Sequence, residues 1–387
     1  MKEPIKVYMN AKVKSINPND DKHYFFGYYD IQPFDKTGRY HLAQQVDFMD
    51  RLPEKDDIAT VGIIDIENNE FKALGKTTAW NFQQGALLRW YGDDEILYNI
   101  RKDDGTYGAV RKNLKGETTA EYDMPLATAS DVSKKGISIN FERIFDFRAG
   151  YGYAGKPDPF FDVKAPETDG VFTVDLETGE SKLIISYADM IKQFPEEPYT
   201  SSKLLVNHIN LNPCGDRFVF LLRNFFEEGV MWKTQLIASD LEGNMVPLTN
   251  YRFNSHYCWK NDRELLIVSD NEDKFGCWLF DTVTGKAELI DIPNLNRRDI
   301  HCLYSPDQRF ILGDAYPDEG YRNLMLYDCE KGTFEAIIGS LSTADANWDI
   351  RADLHARFDR QGSQISFDAT HSNKREICVF STECIER

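Results

Sequence analysis

The segment Ile300-His301-Cys-Leu-Tyr-Ser-Pro-Asp307 decides the fold, because the chain writes the same pattern several times. A histidine opens it, a polar turn begins four residues later at Ser305, and the strand-like run Phe310–Gly313 follows. The pattern returns in Asn207-His208-Ile-Asn-Leu-Asn-Pro-Cys-Gly-Asp216, in Ser255-His256-Tyr-Cys-Trp-Lys-Asn-Asp262 and in Leu354-His355-Ala-Arg-Phe-Asp-Arg-Gln361. Successive histidines are 48, 45 and 54 residues apart. Each unit holds short β-branched and aromatic runs separated by Asp-Gly, Thr-Gly or Asn-Asp turns, the mark of consecutive antiparallel strands. A repeat of about 40–50 residues with four strands is a propeller blade.

Toward the N-terminus the template fits three weaker copies. They are Tyr28-Tyr-Asp30-Ile-Gln-Pro-Phe-Asp-Lys-Thr-Gly38, Gln84-Gly85-Ala86-Leu-Leu-Arg-Trp-Tyr-Gly92 and Ala127-Thr128-Ala-Ser-Asp-Val-Ser-Lys-Lys-Gly136. Seven units predict an all-β chain, one seven-bladed propeller of four-stranded antiparallel blades over residues 1–387. Blades start near 28, 84, 127, 207, 255, 300 and 354. The third carries an insertion over about 148–168, rich in Gly, Pro and Tyr. The strand around Ile5–Met9 is expected to complete the last blade and close the ring. One short helix is expected, near Tyr187–Phe194.

Composition narrows the function classes. The chain has 45 Lys and Arg against 63 Asp and Glu, a net charge of −18, so duplex nucleic acid and anionic membrane are poor partners. With 42% hydrophobic and 28% charged residues it can bury a core. No apolar run approaches the ~18 residues of a spanning helix, and no signal core is visible, so a cytoplasmic location is expected. Seven cysteines without CxxC spacing fit a reducing compartment. Walker A, GxGxxG, GxSxG and HExxH patterns are absent, which disfavours nucleotide and serine-hydrolase chemistry.

Inner strands of a propeller line its channel, so residues at one repeat position form a ring. His208, His256, His301 and His355 hold one such position, and Asp30 falls at the equivalent place in the first unit. They are candidates for a site at one channel mouth; the alternative is a polar network internal to each blade. His23 is expected on an exposed approach loop, His41 within the protein or at its surface, and His371 on a loop. Gln84, beside Gly85, is a candidate substrate contact. Arg223 ends the apolar strand Phe218–Leu222 and needs an anionic partner, either in the blade or on a substrate. In Asp349-Ile-Arg351-Ala-Asp353-Leu-His355, alternation puts Asp349, Arg351, Asp353 and His355 on one face. Asp353, His355 and His301 could hold a divalent ion, with manganese, zinc or iron suiting imidazole and carboxylate; a salt-bridge ladder explains the same face. Tyr151, Tyr153 and the aromatic cluster that includes Tyr28 and Tyr29 are either sugar-stacking or core residues.

His301-Cys-Leu-Tyr-Ser-Pro-Asp-Gln-Arg-Phe-Ile-Leu-Gly-Asp314 and Asp353-Leu-His355-Ala-Arg-Phe-Asp-Arg-Gln-Gly-Ser-Gln-Ile-Ser-Phe-Asp368 resemble blades of the oligogalacturonate lyase family, within the wider TolB-like propellers. The resemblance implies a manganese ion held by histidines and a glutamine, and an Arg near the scissile bond. His301 and His355 match metal-ligand positions. Asp353 stands where the family has a histidine, and Ile350 where it has a glutamine. The implied activity is a polysaccharide or oligosaccharide lyase performing β-elimination on a uronic-acid-containing glycan. His208 or His256 would move protons, Arg223 would neutralise the carboxylate or act as base, and Asp30, Gln84, Arg351 and Tyr29 would bind substrate. The −18 charge favours a short acidic oligosaccharide over a long polyanion. Two other readings stand beside this one: a non-catalytic glycan- or protein-binding propeller, and a glycoside hydrolase using Asp30 and Asp353. The sequence leaves the oligomeric state open.

Overall fold

A computed structural model describes residues 2–249, 253–292, 298–343 and 349–386. Seven antiparallel sheets follow one another along the chain. Blade 1 is built from His23–Phe25, Tyr40–Val46, Ala59–Asp65 and Glu70–Thr77, and each later blade begins with its own innermost strand. The outer turns of several blades share one construction. Asp281 Oδ1 accepts the backbone N–H groups of Val283 and Thr284, and Gly285 then takes a φ of 72°. Asp175 with Gly179 and Asp328 with Gly332 repeat it. A carboxylate that satisfies two turn amides, followed by a residue free to be left-handed, reverses the chain in five residues.

Period-two alternation in each strand gives every sheet two apolar faces, and these pack blade against blade. Val219, Leu221 and Leu236 of blade 4 meet Tyr257, Leu265 and Ile267 of blade 5. The channel is left to the polar and aromatic residues of the inner strands.

Closure differs from the sequence expectation. Ile5–Val7 does not complete the last blade; it pairs with Thr333–Leu341 as a fifth strand of blade 6. Lys14–Ser15 completes blade 7, pairing with Glu376–Ser381. Blade 7 has only three strands of its own, so its unpaired edge takes the next segment in reach. His23 is also corrected: it lies in the half-buried inner strand His23–Phe25, not on an exposed loop. His41 is fully buried and bonds Ser366 Oγ through Nε2 at 2.9 Å, and His371 stands in a turn.

The expected helix spans Tyr187–Gln193, started by a capping box of Ser186 and Asp189. A second helix, Phe141–Phe147, opens the blade 3 insertion, which runs between the strands Lys135–Ser138 and Gly170–Asp175. The fully buried Arg143 anchors it, pairing with Asp158 at 3.0 Å and donating to the Leu204 and Lys164 carbonyls. This helix was not read from the sequence: like Tyr187–Gln193 it gives barely two turns of periodicity, but no proline follows closely to mark its end as Pro195 does there.

Candidate functional site

Three of the four histidines meet directly, and His208 joins them through Tyr28. Ring centroids lie 3.9 Å apart for His256 and His301, and 4.5 Å apart for His301 and His355. Local backbone explains how. His208 and His355 adopt left-handed conformations, with φ 46° and 43°, and Leu87 of blade 2 does the same at 53°. The ladder of blade 4 shifts register between Asn207 and Asn210, and that of blade 5 between Asn254 and Tyr257. A bulge at this level breaks the period-two alternation and re-aims the side chain into the channel.

The ring is not empty at its centre. Tyr28 stacks on His208 at 5.1 Å and meets His355 edge-on at 4.9 Å, while Tyr29 lies 5.3 Å from His301. The Tyr29 hydroxyl donates to the Tyr257 carbonyl at 2.7 Å and accepts from its N–H at 2.9 Å, bracing blade 1 against blade 5. These two tyrosines divide the channel into two ends. Tyr29 is therefore a brace whose hydroxyl is already engaged.

Burial and neighbouring groups bias the charge state of each imidazole. His256 Nδ1 faces Asp299 Oδ1 at 2.8 Å, leaving Nε2 without a hydrogen-bond partner among the described residues. Burial lowers the His256 pKa despite Asp299, so the ring is neutral near pH 7. His208 is driven well down by burial and by Arg223. His355 Nδ1 donates to the Gly27 carbonyl at 2.8 Å, and burial and His301 hold it neutral. Burial opposes charge on His301 as well, but Asp314 at 3.2 Å and then Asp353 outweigh it and raise its pKa.

His301, Asp353 and His355 form a donor set that suits a divalent cation. Their ligand atoms lie within 4.8 Å of one another. Nε2 of His301 and of His355 are buried and have no hydrogen-bond partner among the described residues, while each Nδ1 is oriented by Asp314 or the Gly27 carbonyl. That is the arrangement of oriented metal-ligating imidazoles. Asp353 is held in turn by Arg322 at 2.6 Å and Arg351 at 2.8 Å, which keep its carboxyl below the usual carboxylate range against burial. The salt-bridge ladder and the donor set thus share one carboxylate. Ile350 is buried in the apolar core and contributes no ligand.

The mouth where the inner strands begin gathers several arginines, of which Arg148 and Arg351 are paired with carboxylates. Arg223 is buried, pairs across the sheet with Leu205, and lies over the Trp232 ring at 5.0 Å. No carboxylate among the described residues forms an ion pair with it, and its Nε is buried without a hydrogen bond. Burial and the neighbouring Arg148 pull its pKa down to about 10, so it stays charged. Arg148, from the insertion, pairs with Asp349 at 2.9 Å and covers the Tyr151 ring at 4.6 Å. Arg351 donates to the Tyr151 hydroxyl at 3.3 Å. Tyr151 and Tyr153 are buried rather than stacked in solvent.

Asp30 and Gln84 lie at the other end. With His208, Asn210, Asn212 and Arg89 they line a pocket of about 250 Å³ at the mouth formed by the inner-strand turns. Asp30 accepts from Asn210 Nδ2 at 2.9 Å, and burial pushes its pKa up to about 6 against Arg89. The structure brings Arg223, Arg351, His256, His301, Asp353 and His355 to one end of the channel, with His208 between the two ends. Sequence reading missed Arg148, Asp299, Asp314 and Arg322. Asp299 stands two residues before His301 and was open to the same period-two argument; the other three carry no local signal.

No family model and no characterised protein matches the sequence. Among solved structures, an oligogalacturonate lyase in complex with manganese is similar over 97% of this chain and 96% of its own, with a TM-score of 0.68 and 16% identity. The fold is that of oligogalacturonate lyase. The oligogalacturonate lyase of Vibrio parahaemolyticus is similar over 98% of this chain and 96% of its own, at a TM-score of 0.66 and 12% identity. A chain of a mitotic checkpoint complex also aligns over 96% of this chain and 93% of its own, at 0.52 and 10% identity. The oligogalacturonate lyase architecture is thus a frame that proteins of other kinds share, and activity has to be argued from the site.

Proposed function

We propose that this chain is an oligosaccharide lyase that cleaves a uronic-acid-containing glycan by β-elimination at the arginine-lined mouth. One observation carries the reading: a buried, charged Arg223 with no carboxylate partner among the described residues, set beside a cluster of neutral imidazoles. Burying a cation without an anion is costly, and a substrate carboxylate supplies the missing one.

Arg223 and Arg148 would bind the C5 carboxylate and stabilise the enediolate that develops there. His256, oriented by Asp299, would accept the C5 proton on Nε2. The bond from C4 to the leaving oxygen then breaks, the new double bond forms between C4 and C5, and the imidazolium returns its proton to that oxygen. His301, Asp353 and His355 would hold a divalent ion, manganese by analogy with the manganese complex of the similar lyase. When bound, that ion would polarise the same carboxylate.

The structure gives the hydrolase reading no support, since Asp30 lines the far pocket and Asp353 is committed to two guanidinium groups. The binding-module reading draws on the tyrosine plug and on the Nδ1 partners of the histidines. Incubation with a panel of short acidic oligosaccharides separates the three. Ultraviolet absorbance of an unsaturated uronate, lost in Arg223→Met, marks the lyase. Reducing-sugar release without that chromophore marks hydrolysis. If neither appears and the histidine variants only lose stability, the protein binds without catalysis.

A further inference from the structure

A second cluster of metal-ligating side chains stands away from the channel. Glu376 and Cys378 are two residues apart in the strand Glu376–Ser381 and so share one face. His371 stands in the turn before them. An imidazole nitrogen, a carboxylate oxygen and the Cys378 sulfur lie within 4.8 Å of one another. Cys378 is fully buried and Glu376 is 7% exposed. Glu376 Oε1 and His371 Nδ1 are both buried without a hydrogen bond among the described residues, and His371 Nε2 is 3.4 Å from that carboxylate oxygen. Polar atoms left in this way cost free energy unless something else satisfies them.

We propose that His371, Glu376 and Cys378 form a zinc-binding clasp at the seam where the ring closes. A nitrogen, an oxygen and a sulfur donor suit zinc and reject calcium or magnesium, which take oxygen ligands. Three protein ligands leave a fourth position for water, and the half-buried His371 gives the ion a way in from solvent. Zinc takes the sulfur as thiolate, so binding releases the Cys378 thiol proton to solvent as the sulfur–zinc bond forms.

The position gives the clasp a purpose. Cys378 pairs with Ser15 and Val379 with Lys14, the two-residue ladder by which the N-terminal segment completes blade 7. Beside it, Tyr24 N–H donates to the Arg375 carbonyl and Arg375 N–H to His23 Nδ1, joining blade 7 to blade 1. An ion here would tie the turn carrying His371 to the strand that receives the closing segment.

The test is a titration of the chelator-treated full chain with Co²⁺, read by near-ultraviolet thiolate-to-cobalt charge-transfer absorption. His301, Asp353 and His355 offer no sulfur, so cobalt in the channel is silent in this band. The expected result is a band that saturates in the unaltered chain and in His301→Ala, and is lost in Cys378→Ser and in His371→Ala. Cobalt uptake without the band, or a band that survives Cys378→Ser, overturns the proposal. Should Cys378→Ser not fold, His371→Ala decides, and a band with an unchanged midpoint overturns it equally. Zinc is expected to raise the Tm of the unaltered chain more than that of His371→Ala.

Discussion

Asp353→Asn is the sharpest test of how the channel is held together. Asp353 is fully enclosed, with Arg322 2.6 Å and Arg351 2.8 Å from its oxygens, and both arginines are about as inaccessible. Asparagine keeps the volume and one carbonyl oxygen but removes the anion that the two cations share. Breaking a buried pair from one side costs about 3–5 kcal/mol, because the remaining charge stays desolvated. The variant is therefore expected to lose that much unfolding free energy, read by circular dichroism as a lower midpoint in urea. The exposed Lys36–Asp93 pair is the control, and Asp93→Asn should leave the midpoint in place. The difference also depends on pH. The arginines hold the Asp353 pKa below its unfolded value near 3.9, so the stabilisation is fully present above that value. It fades only as pH falls below about 4 toward the folded-state value. If Asp353→Asn were no more harmful than Asp93→Asn at pH 7, the carboxylate would not be what holds these arginines.

Arg223→Met should abolish turnover by about 100-fold or more while leaving the fold intact or steadier, since it removes a buried cation that has no ion pair; steady-state rates beside urea melts check both halves. Tyr29→Phe should lower stability by about 1–3 kcal/mol, because the Tyr257 N–H and carbonyl lose their shared partner in the channel; equilibrium unfolding measures it. His41 has its pKa lowered to about 3 by burial and then by Arg357, so it folds neutral. Stability should fall by about 1.4 kcal/mol per pH unit on this account as pH drops below 6.5, and His41→Gln should flatten that slope in urea melts run across the acid range. Metal analysis of the isolated protein should find the channel ion reduced in His301→Ala.

The repeat was legible because it is written locally. A histidine, a turn four residues on and a strand after it recur every 45–54 residues, and each copy is read from residues close together in the chain. That these four share one level of the channel follows from the repeat, whereas the bulges and left-handed residues that aim His208, His256 and His355 inward do not. The two ends of the channel were not legible. Asp30 holds the repeat position by count, yet Tyr28 and Tyr29 fill the centre and leave it facing the far pocket with Gln84. The closing strand was misplaced for a related reason. Ile5–Met9 has strand composition, but composition does not say which of two neighbouring sheet edges is within reach.

Period and turn chemistry, which depend on residues a few positions apart, determined the seven blades, their antiparallel strands and the shared level of the histidines. Only the tertiary structure decided that Arg322 and Arg351 close on Asp353, that Asp299 and Asp314 orient their imidazoles, and that Arg148 joins Arg223 from an insertion 75 residues earlier in the chain. A charge acquires its role from what replaces water around it. That replacement comes from strands and loops whose approach no local pattern encodes.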